Sequence, residues 1–269
     1  HALPLPLGET MVARALLAQA GVARPAGSIA LARGEHLANG GLRCALVRSG
    51  QVAAAVLVQA STEWRLLNTA DAQGAAQALA LDAALTWTAV QVQAAPAVEV
   101  NGALDVRTLQ AAAVAAQMAG ALSSVFRRSL QYANERQQFG RPIGKFQAIQ
   151  HQLAVMSEHV FAARMAAQLG CSAGHDGMGV VPDRLRVATA KARCSEAALV
   201  VSELAHAIHG AIGFTGEYDL QLFTRRLHAW RQTAGSEAYW YGVAGEALLH
   251  HQGMTLDIVR RITDVDTVL

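Results

Sequence analysis

The sequence predicts a mainly α protein in which a small β-rich domain precedes a bundle of long helices. Apolar residues follow each other at spacings of three and four over most of the chain after Leu104, and with period two in several short stretches before it. Alanine, a strong helix former, makes up about a fifth of the 269 residues. A hydrophobic fraction of 52% with only 16% charged residues excludes intrinsic disorder.

The change in periodicity divides the chain into three segments, 1–26, 27–104 and 105–269. The first segment contains one short amphipathic helix, which begins near Gly8 and is stopped by Gly21. We expect this helix to be followed by a different kind of structure, because the spacing of apolar residues shortens from about four to two.

The second segment is predicted to be rich in strands. Residues 44–47 and 52–58 are expected to pair as a β-hairpin around the turn at Gly50. Residues 85–92 and 97–101 alternate with period two, which predicts two further strands.

The third segment is predicted to consist of helices joined by short loops, which is the arrangement of a helix bundle. The expected helices run from Asp105 or Thr108 to Asn134, from Ile143 to Leu169, from Pro182 to His209, from Glu217 to Arg231 and from Glu237 to His251.

Composition and charge exclude several classes of function. The net charge is +2 and no basic tract or aromatic-basic module occurs, so we expect no nucleic-acid partner. No apolar run reaches the roughly 18 residues of a membrane span, so we expect no membrane partner. The small share of charged residues leaves little polar surface for a lone globule, which indicates area buried between subunits.

The cysteines and histidines give no sign of a metal centre. Cys44, Cys171 and Cys194 share no close spacing, which argues against disulfides and zinc and fits a reducing cytoplasm. His206 and His209 are three residues apart, but no carboxylate-rich partner motif accompanies them. The sequence therefore predicts no metal.

The most informative stretch joins two predicted helices at residues 136–147. It gathers Arg136, a forked and permanently charged donor suited to a phosphate or carboxylate, with amides, glycines and aromatic rings. The helix start near Pro142 adds free N–H groups and a positive dipole end. A solvated loop, with its phenylalanines in the core, explains the same residues equally well.

A second cluster runs from His209 to Tyr218. Its glycines at 210, 213 and 216 let another backbone or a ligand approach closely. No strand precedes this cluster and no Gly-Lys-Ser/Thr follows it, so it is not a typical phosphate loop. Glycine-driven turning alone also accounts for it.

Together these clusters resemble a known family. Tyr132–Ile143 (YANERQQFGRPI), followed by Phe146-Gln147, is similar to the Arg-x-x-Phe-Gly-x-x-Ile and Phe/His-Gln signature in the C-terminal helical domain of acyl-CoA dehydrogenases. His209–Thr215 (HGAIGFT) resembles that family's His-Gly-Gly-x-Gly-Phe-Thr stretch. The resemblance implies an acyl-CoA dehydrogenase-like C-terminal helical bundle preceded by a reduced β-rich domain, with residues 1–26 as a remnant of the N-terminal helical region.

The resemblance also implies a cofactor and a reaction. Acyl-CoA dehydrogenases use FAD to oxidise the α–β bond of an acyl-CoA thioester and pass electrons to electron-transfer flavoprotein. A carboxylate removes the α-proton while a hydride leaves the β-carbon for the flavin. In the family, residues of these two motifs reach across a subunit interface to an FAD held mainly by a neighbouring chain.

Site residues follow from the resemblance position by position. Arg136 would bind the FAD pyrophosphate, and the backbone of Gly210 and Ala211 would pass close to the cofactor. The adenosine side would be lined by Gln138, Phe139, Phe146 and Gln147.

The sequence departs from the family at the catalytic positions. The family's glutamate usually precedes a Gly-Thr pair ahead of a late helix, and the matching residue here is Ala234. Some members keep this base in the first bundle helix, at the position of Gln110. Neither residue accepts a proton at neutral pH, so no catalytic residue is assigned, and Glu237 is the candidate for a displaced base. Ala207 also replaces the glutamine that starts the second motif.

The β-rich segment lacks the Trp-, Thr- and Ser-rich stretch that holds the flavin ring in the family. These losses predict the small, catalytically incomplete subunit of a heteromeric acyl-CoA dehydrogenase. It would form a heterodimer or heterotetramer with a larger partner that supplies the flavin-ring pocket and the glutamate. Such unequal pairs resemble enzymes of steroid degradation that act on side-chain thioesters. Two alternatives stay open: a homomeric enzyme with a displaced base, and a scaffold subunit without flavin.

Overall fold

The computed structural model describes residues 5–76, 81–100, 104–172 and 182–263. The chain divides into two compact units, Leu3–Ala113 and Val114–Leu269, and each unit has its own hydrophobic core. The three-segment division made from periodicity stays a prediction.

The first unit is built around a mixed six-stranded sheet. Its strands are β1 (Ile29–His36), β2 (Leu42–Val47), β3 (Ala55–Ala60), β4 (Glu63–Asn68), β5 (Gln73–Ala76) and β6 (Ala83–Trp87). The order in the sheet is β4-β3-β1-β2-β6-β5, and β1 with β3 is the parallel pair. Helix α1 (Leu7–Gln19) precedes the strands, and the short helix α2 (Ala89–Ala94) follows them. The core of this unit lies on the sheet around Leu42, Val56 and Trp87.

The predicted hairpin of residues 44–47 and 52–58 is wrong, because β1 lies between β2 and β3 in the sheet. After β2 the chain turns at Ser49, which has a positive φ of 53°. The Ser49 N–H donates to the Asp82 carboxylate at 2.9 Å. This bond ties the turn to the chain entering β6 and leaves β3 to pair with β1 instead.

Only the first three residues of the strand predicted at 85–92 lie in a strand. β6 ends at Trp87, and Thr88 caps α2. The Thr88 side chain accepts from the Gln91 N–H at 3.4 Å, and the Gln91 side chain accepts from the Thr88 N–H at 2.8 Å. This capping box starts a helix where the alternation predicted a strand.

The predicted strand at 97–101 is reduced to a single bridge between Ala97 and Arg65. Pro96 has no N–H to donate, so pairing cannot extend toward the preceding residue. Residues 98–100 continue without regular structure, and residue 101 lies outside the described residues.

Helix α1 covers the part of the β1 edge that β2 does not reach. The Glu9 carboxylate, 2% exposed, accepts from the Leu31 N–H at 2.8 Å and from the Arg48 guanidinium at 3.3 Å. Burial raises the pKa of Glu9, although Arg48 opposes that shift. Thr10 Oγ1 accepts from the Ile29 N–H at 2.9 Å. These side chains pair strand donors that would otherwise be buried without partners.

The second unit is a bundle of helices, as predicted. The long helix α3 (Val106–Glu135) enters it from the first unit. The helices that follow are α4 (Gln147–Gly170), α5 (Arg184–His209), α6 (Leu220–Gln232), α7 (Glu237–His250) and α8 (Thr255–Thr263). Helices α4 and α5 pack closely: a Cβ built on Gly170 would lie 2.5 Å from the Ala190 Cβ, so only glycine fits there. The bundle core is formed largely by alanine, valine and leucine.

Two helical segments, α3 and Arg184–Phe214, are long and apolar enough to cross a membrane by length and composition. This corrects the expectation that no stretch of the chain would pass such a test. In α3, 67% of the most apolar window is buried inside the protein, and 44% in the other segment. Core helices of globular proteins have the same composition, so these segments are weak evidence for a membrane span.

Candidate nucleotide site

The two sequence motifs meet in the second unit. They line a cavity of about 580 Å³, which we call the two-motif cavity. One wall comes from the end of α3 and the turn after it, and the other from the last turn of α5 and the 3-10 helix Gly210–Phe214. The lining residues are Tyr132, Arg136, Gln138, Phe139, Ile143, Phe146, Ile149, Ala207, Ile208, His209, Gly210, Ala211 and Ile212.

The cavity brings together all but one of the residues predicted to contact a cofactor. The exception is Gln147, which begins α4 and is exposed beside the wall residue Phe146. Among the lining residues to which no role was assigned from the sequence, two have polar side chains, Tyr132 and His209. Both stood inside the quoted motifs, so position alone could have drawn attention to them.

The first wall is shaped by a two-residue turn. Strands β7 (Gln137–Gln138) and β8 (Arg141–Pro142) pair as a minimal hairpin. The two residues between them, Phe139 and Gly140, have φ values of 52° and 77°. Positive φ at both central positions matches the twist of paired strands, but it is uncommon and strained for a phenylalanine.

Aromatic rings face one another at this corner. Phe139 is 90% exposed, and its ring lies edge-on to Phe146 with centroids 6.1 Å apart. The guanidinium of Arg141 lies 4.3 Å above the Phe146 ring. A large aromatic side chain held in a strained turn and left in solvent offers a flat face to a planar ligand. The phenylalanines are therefore not both core residues.

Arg136 supplies the positive charge of the cavity. It follows the last residue of α3, and its N–H bonds the Tyr132 carbonyl at 2.8 Å. Its own carbonyl accepts from the Ile143 N–H at 2.8 Å, which closes the hairpin. Within the described part of the chain, the exposed guanidinium forms no ion pair or hydrogen bond, so all its donors face solvent or a ligand.

The second wall turns at Gly210. Its φ of 65° and ψ of −145° are costly for a residue with a side chain. A Cβ built on Gly210 would meet no atom within 4 Å, so the space in front of this backbone is open. The backbones of Gly210 and Ala211 border the cavity at this point.

His209 ends α5 in the same wall and is only 4% exposed. Its ring stacks on Tyr132 with centroids 4.4 Å apart, and its Nδ1 lies 2.7 Å from the Ala205 carbonyl. Its Nε2 is buried and has no hydrogen-bond partner among the described residues. Burial lowers the pKa of His209, which favours the neutral ring.

The two positions that the family resemblance predicts for the base, Gln110 and Ala234, have structural roles here. Gln110, in the first unit, donates through Nε2 to the Leu31 carbonyl at 2.8 Å. Ala234, in the second unit, has a positive φ of 56°, and its carbonyl accepts from the Trp240 indole at 3.0 Å. Neither side chain can remove a proton.

Glu237 is tied to a cation. Both of its carboxylate oxygens bind the Arg231 guanidinium, with 3.0 Å between Nε and Oε2. This pairing lowers the pKa of Glu237. Lys191 anchors the loop at residues 233–236, which joins α6 to α7. The Lys191 side chain is fully buried, and its ammonium donates to the carbonyls of Arg231 at 3.0 Å and Gly235 at 2.8 Å.

Histidine, cysteine and carboxylate side chains do not gather at this site. Within residues 5–76, 81–100, 104–172 and 182–263, no group of three such residues could hold a metal ion. His206 Nε2 lies 3.0 Å from Thr224 Oγ1, and its ring stacks on Phe214.

Comparison with known proteins identifies the family. The family profile "Acyl-CoA dehydrogenase, C-terminal domain" matches residues 101–249, which is more than half of the chain. The chain therefore belongs to the acyl-CoA dehydrogenase family. That family is FAD-dependent.

Relatives include the acyl-CoA dehydrogenase IpdE2 of Mycolicibacterium smegmatis, 37% identical over 122 residues, which cover 45% of this chain and 37% of that protein. The acyl-CoA dehydrogenase FadE34 of Mycobacterium tuberculosis is 32% identical over 199 residues, 72% of this chain and 27% of that protein. The chain thus spans about a third of the length of the curated relatives it matches.

Solved structures share the fold. The ChsE4–ChsE5 complex of Mycobacterium tuberculosis contains a chain with a TM-score of 0.79 and 22% identity, covering 93% of this chain and 77% of that one. Butyryl-CoA dehydrogenase of Megasphaera elsdenii gives a TM-score of 0.73 at 20% identity, covering 91% of this chain and 77% of that chain.

Proposed function

We propose that this chain is a subunit of an FAD-dependent acyl-CoA dehydrogenase and completes the FAD site of a larger partner subunit. The observation that carries the proposal is the two-motif cavity, where an unpaired arginine, exposed aromatic faces and open glycine backbone meet. Each of these groups is a binding group for part of a dinucleotide.

The residues of the cavity fit FAD. A guanidinium without a partner suits the doubly charged pyrophosphate of FAD, and we assign Arg136 to it. Phe139 and Phe146 would contact the adenine ring, with amide donors and acceptors from Gln138 and, at the edge of the site, Gln147. Open backbone at Gly210 and Ala211 would let the cofactor approach closely. When bound, the flavin accepts the hydride that leaves the β-carbon of the acyl-CoA thioester.

None of the three positions to which the family resemblance points offers a group suited to remove the α-proton. Ala234 and Gln110 have no titratable side chain, and Glu237 is already paired with Arg231, which stabilises its ionised form. A paired carboxylate is a weak base because protonation would break the ion pair. Loss of a general base typically costs about 10²–10⁴-fold in rate. We therefore assign the base to the partner subunit, which argues against a homomeric enzyme that relies on Glu237.

The surface supports a partner. On α7, α8 and the segment between them, large apolar side chains are exposed, and Leu249 of α7 reaches 83% and Met254, just before α8, reaches 67%. With only 16% charged residues, the chain has few charges with which to surround such groups. Two structural neighbours are complexes of paired proteins, and one of these is described as a steroid acyl-CoA dehydrogenase.

The remaining parts of the proposal follow from the same comparisons. We propose an acyl-CoA thioester as the substrate, with steroid side chains as the acyl group, and electron-transfer flavoprotein as the electron acceptor. A structural neighbour described as an electron-transferring flavoprotein of Acidaminococcus fermentans supports the last assignment at the level of fold. The cytoplasmic location stays a prediction.

A visible spectrum tests the proposal. The chain should be colourless when purified alone, and a complex with a larger acyl-CoA dehydrogenase chain of the same organism should carry the yellow flavin spectrum. A yellow preparation of the chain alone would indicate a homomeric enzyme. The absence of flavin from a stable complex would indicate a scaffold subunit and would contradict the proposal.

A further inference from the structure

His209 contains a buried polar atom with no partner. Its ring lies against Tyr132, with centroids 4.4 Å apart, and against Tyr218, with centroids 5.0 Å apart. Its Nδ1 is 2.7 Å from the Ala205 carbonyl, which can only accept a hydrogen bond. Nδ1 therefore carries the proton, and Nε2 of the neutral ring is an acceptor.

That acceptor is unsatisfied within the described part of the chain. The Nε2 atom of His209 is buried and forms no hydrogen bond there. Buried polar atoms in folded proteins nearly always have a partner, because an unpaired one has lost its bond to water. Burial of the ring also disfavours the protonated form, in which Nε2 would become a donor.

A ligand of the two-motif cavity can supply the missing donor. His209 is one of the lining residues, and Arg136 is the one lysine or arginine among them. The guanidinium attracts phosphate oxygens, whereas a neutral imidazole acceptor repels them and bonds an O–H group. A fitting ligand therefore carries a hydroxyl group near a phosphate, as the ribose and the ribityl chain of FAD do.

Building on the proposed function, we propose that His209 Nε2 accepts a hydrogen bond from a sugar or ribityl hydroxyl of the bound FAD. The bond from Nδ1 to Ala205 fixes the tautomer, and stacking on Tyr132 fixes the plane of the ring. The Tyr132 hydroxyl also lies 3.4 Å from the His209 carbonyl, which links the two walls of the cavity. His209 is therefore a binding residue for the cofactor and has no part in proton transfer.

His206 provides a matched control one turn earlier on α5. It too is stacked on an aromatic ring, that of Phe214, with centroids 4.2 Å apart. Its Nε2 already has Thr224 as a partner at 3.0 Å, and its Nδ1 is buried without one. His206 does not line the two-motif cavity. Replacing each histidine by phenylalanine therefore distinguishes the effect of losing a contact in the cavity from the effect of losing a stacked histidine elsewhere on α5.

The experiment measures the affinity of the flavin-free complex for FAD by flavin fluorescence quenching. His209→Phe keeps the aromatic stacking but removes the acceptor, and it should raise the dissociation constant at least tenfold. His206→Phe should change it less than twofold. His209→Gln, whose amide oxygen can accept the same bond, should recover part of the loss. Displacement of bound FAD by ADP, followed by the same fluorescence signal, locates the hydroxyl: an equal loss of ADP affinity assigns it to the ribose, and a loss with FAD alone assigns it to the ribityl chain.

The outcomes distinguish this inference from the proposed function. An unchanged FAD affinity of His209→Phe, together with a loss of more than tenfold in Arg136→Ala, would overturn the role of His209 and leave the FAD site intact. Unchanged affinity in both variants would overturn the proposed function as well. If circular dichroism shows that His209→Phe does not fold, His209→Leu replaces it, and equal affinities of the Leu and Gln variants would refute the hydrogen bond.

Discussion

The two-motif cavity and the loop at residues 233–236 belong to the same helical unit, but their polar groups are arranged in opposite ways. In the cavity, the Arg136 guanidinium and His209 Nε2 have no partner among the described residues. At the loop, Lys191 donates to backbone carbonyls, and Glu237 is paired with Arg231.

Groups left unpaired at a fixed position are available to a ligand, whereas paired groups hold the backbone. The difference is what we expect if the chain supplies the binding half of a shared acyl-CoA dehydrogenase site, as proposed above. In this proposal the half that carries out proton transfer is supplied by the partner, and Ala234, which the family resemblance places at the position of the base, is part of a structural loop.

The largest expected effect comes from removing the charge of the cavity. Arg136→Ala should weaken FAD binding by the complex more than a hundredfold, about 3 kcal/mol, because a guanidinium makes two charge-assisted bonds to a pyrophosphate. Flavin titration of the complex measures the loss. Lys145→Ala is the matched control, since Lys145 is an exposed cation of the same motif that does not line the cavity. If both substitutions weaken FAD binding equally, Arg136 contributes only its positive charge and makes no specific bond to the cofactor.

Removing the buried ammonium of Lys191 should destabilise the loop at residues 233–236 and leave the two-motif cavity unchanged. Lys191→Met should lower the free energy of unfolding by about 2–3 kcal/mol, because it removes the donor to the Gly235 carbonyl and leaves the Arg231 carbonyl only the longer bond from Ser195 Oγ at 3.5 Å. Urea denaturation of the isolated chain checks this.

A control for Lys191→Met lies on the same helix. Arg193→Met removes an ion pair with Glu196 in which both side chains are partly exposed, and it should change stability by less than about 0.5 kcal/mol. If both variants lose a similar free energy of unfolding, the buried hydrogen bonds of Lys191 stabilise the protein no more than the exposed ion pair of Arg193.

A smaller effect is expected from the exposed ring of the cavity. Phe139→Ala should weaken FAD binding about tenfold through loss of aromatic contact, while thermal stability stays unchanged because the ring is 90% exposed. Phe161→Ala, on α4 and 56% exposed, removes a ring outside the cavity and should leave FAD affinity unchanged. A lower melting temperature of Phe139→Ala would instead show that the Phe139 ring stabilises the fold by packing against its neighbours.

The smallest effect is a gain in stability from a substitution at Ala234. Ala234 has a positive φ of 56°, which glycine adopts more readily, so Ala234→Gly should raise the free energy of unfolding by up to about 1 kcal/mol. Thermal unfolding in parallel with wild type measures the difference. A loss of stability would mean that the alanine methyl group makes contacts that outweigh the backbone strain.

The sequence was sufficient for the features that depend on local residue order. The helices of the bundle follow from apolar spacing and from signals such as Asp183, whose carboxylate accepts from the Leu185 and Arg186 N–H groups at the start of α5. The two motifs also predicted which residues gather at one corner between helices, since all the predicted cofactor-binding residues except Gln147 line the two-motif cavity; that they bind a cofactor stays a prediction.

The rest depended on contacts between distant residues. The order of the sheet could not be predicted because Ser49 is held by Asp82, 33 residues away. The structural role of Gln110 likewise rests on the Leu31 carbonyl, 79 residues away. The acceptor of His209 was hidden for a different reason: a histidine in a motif does not reveal which of its nitrogens is already paired.

Flavin stoichiometry tests the central claim most directly, because the chain is assigned the binding half of a shared site and not a site of its own. Absorbance at the flavin maximum, with quantified chains, gives the number of FAD molecules in the purified complex. We predict one FAD for each larger partner chain and none attributable to this chain, which should carry no flavin when purified alone. One FAD for every chain of both kinds, or a full complement on this chain by itself, would contradict the account.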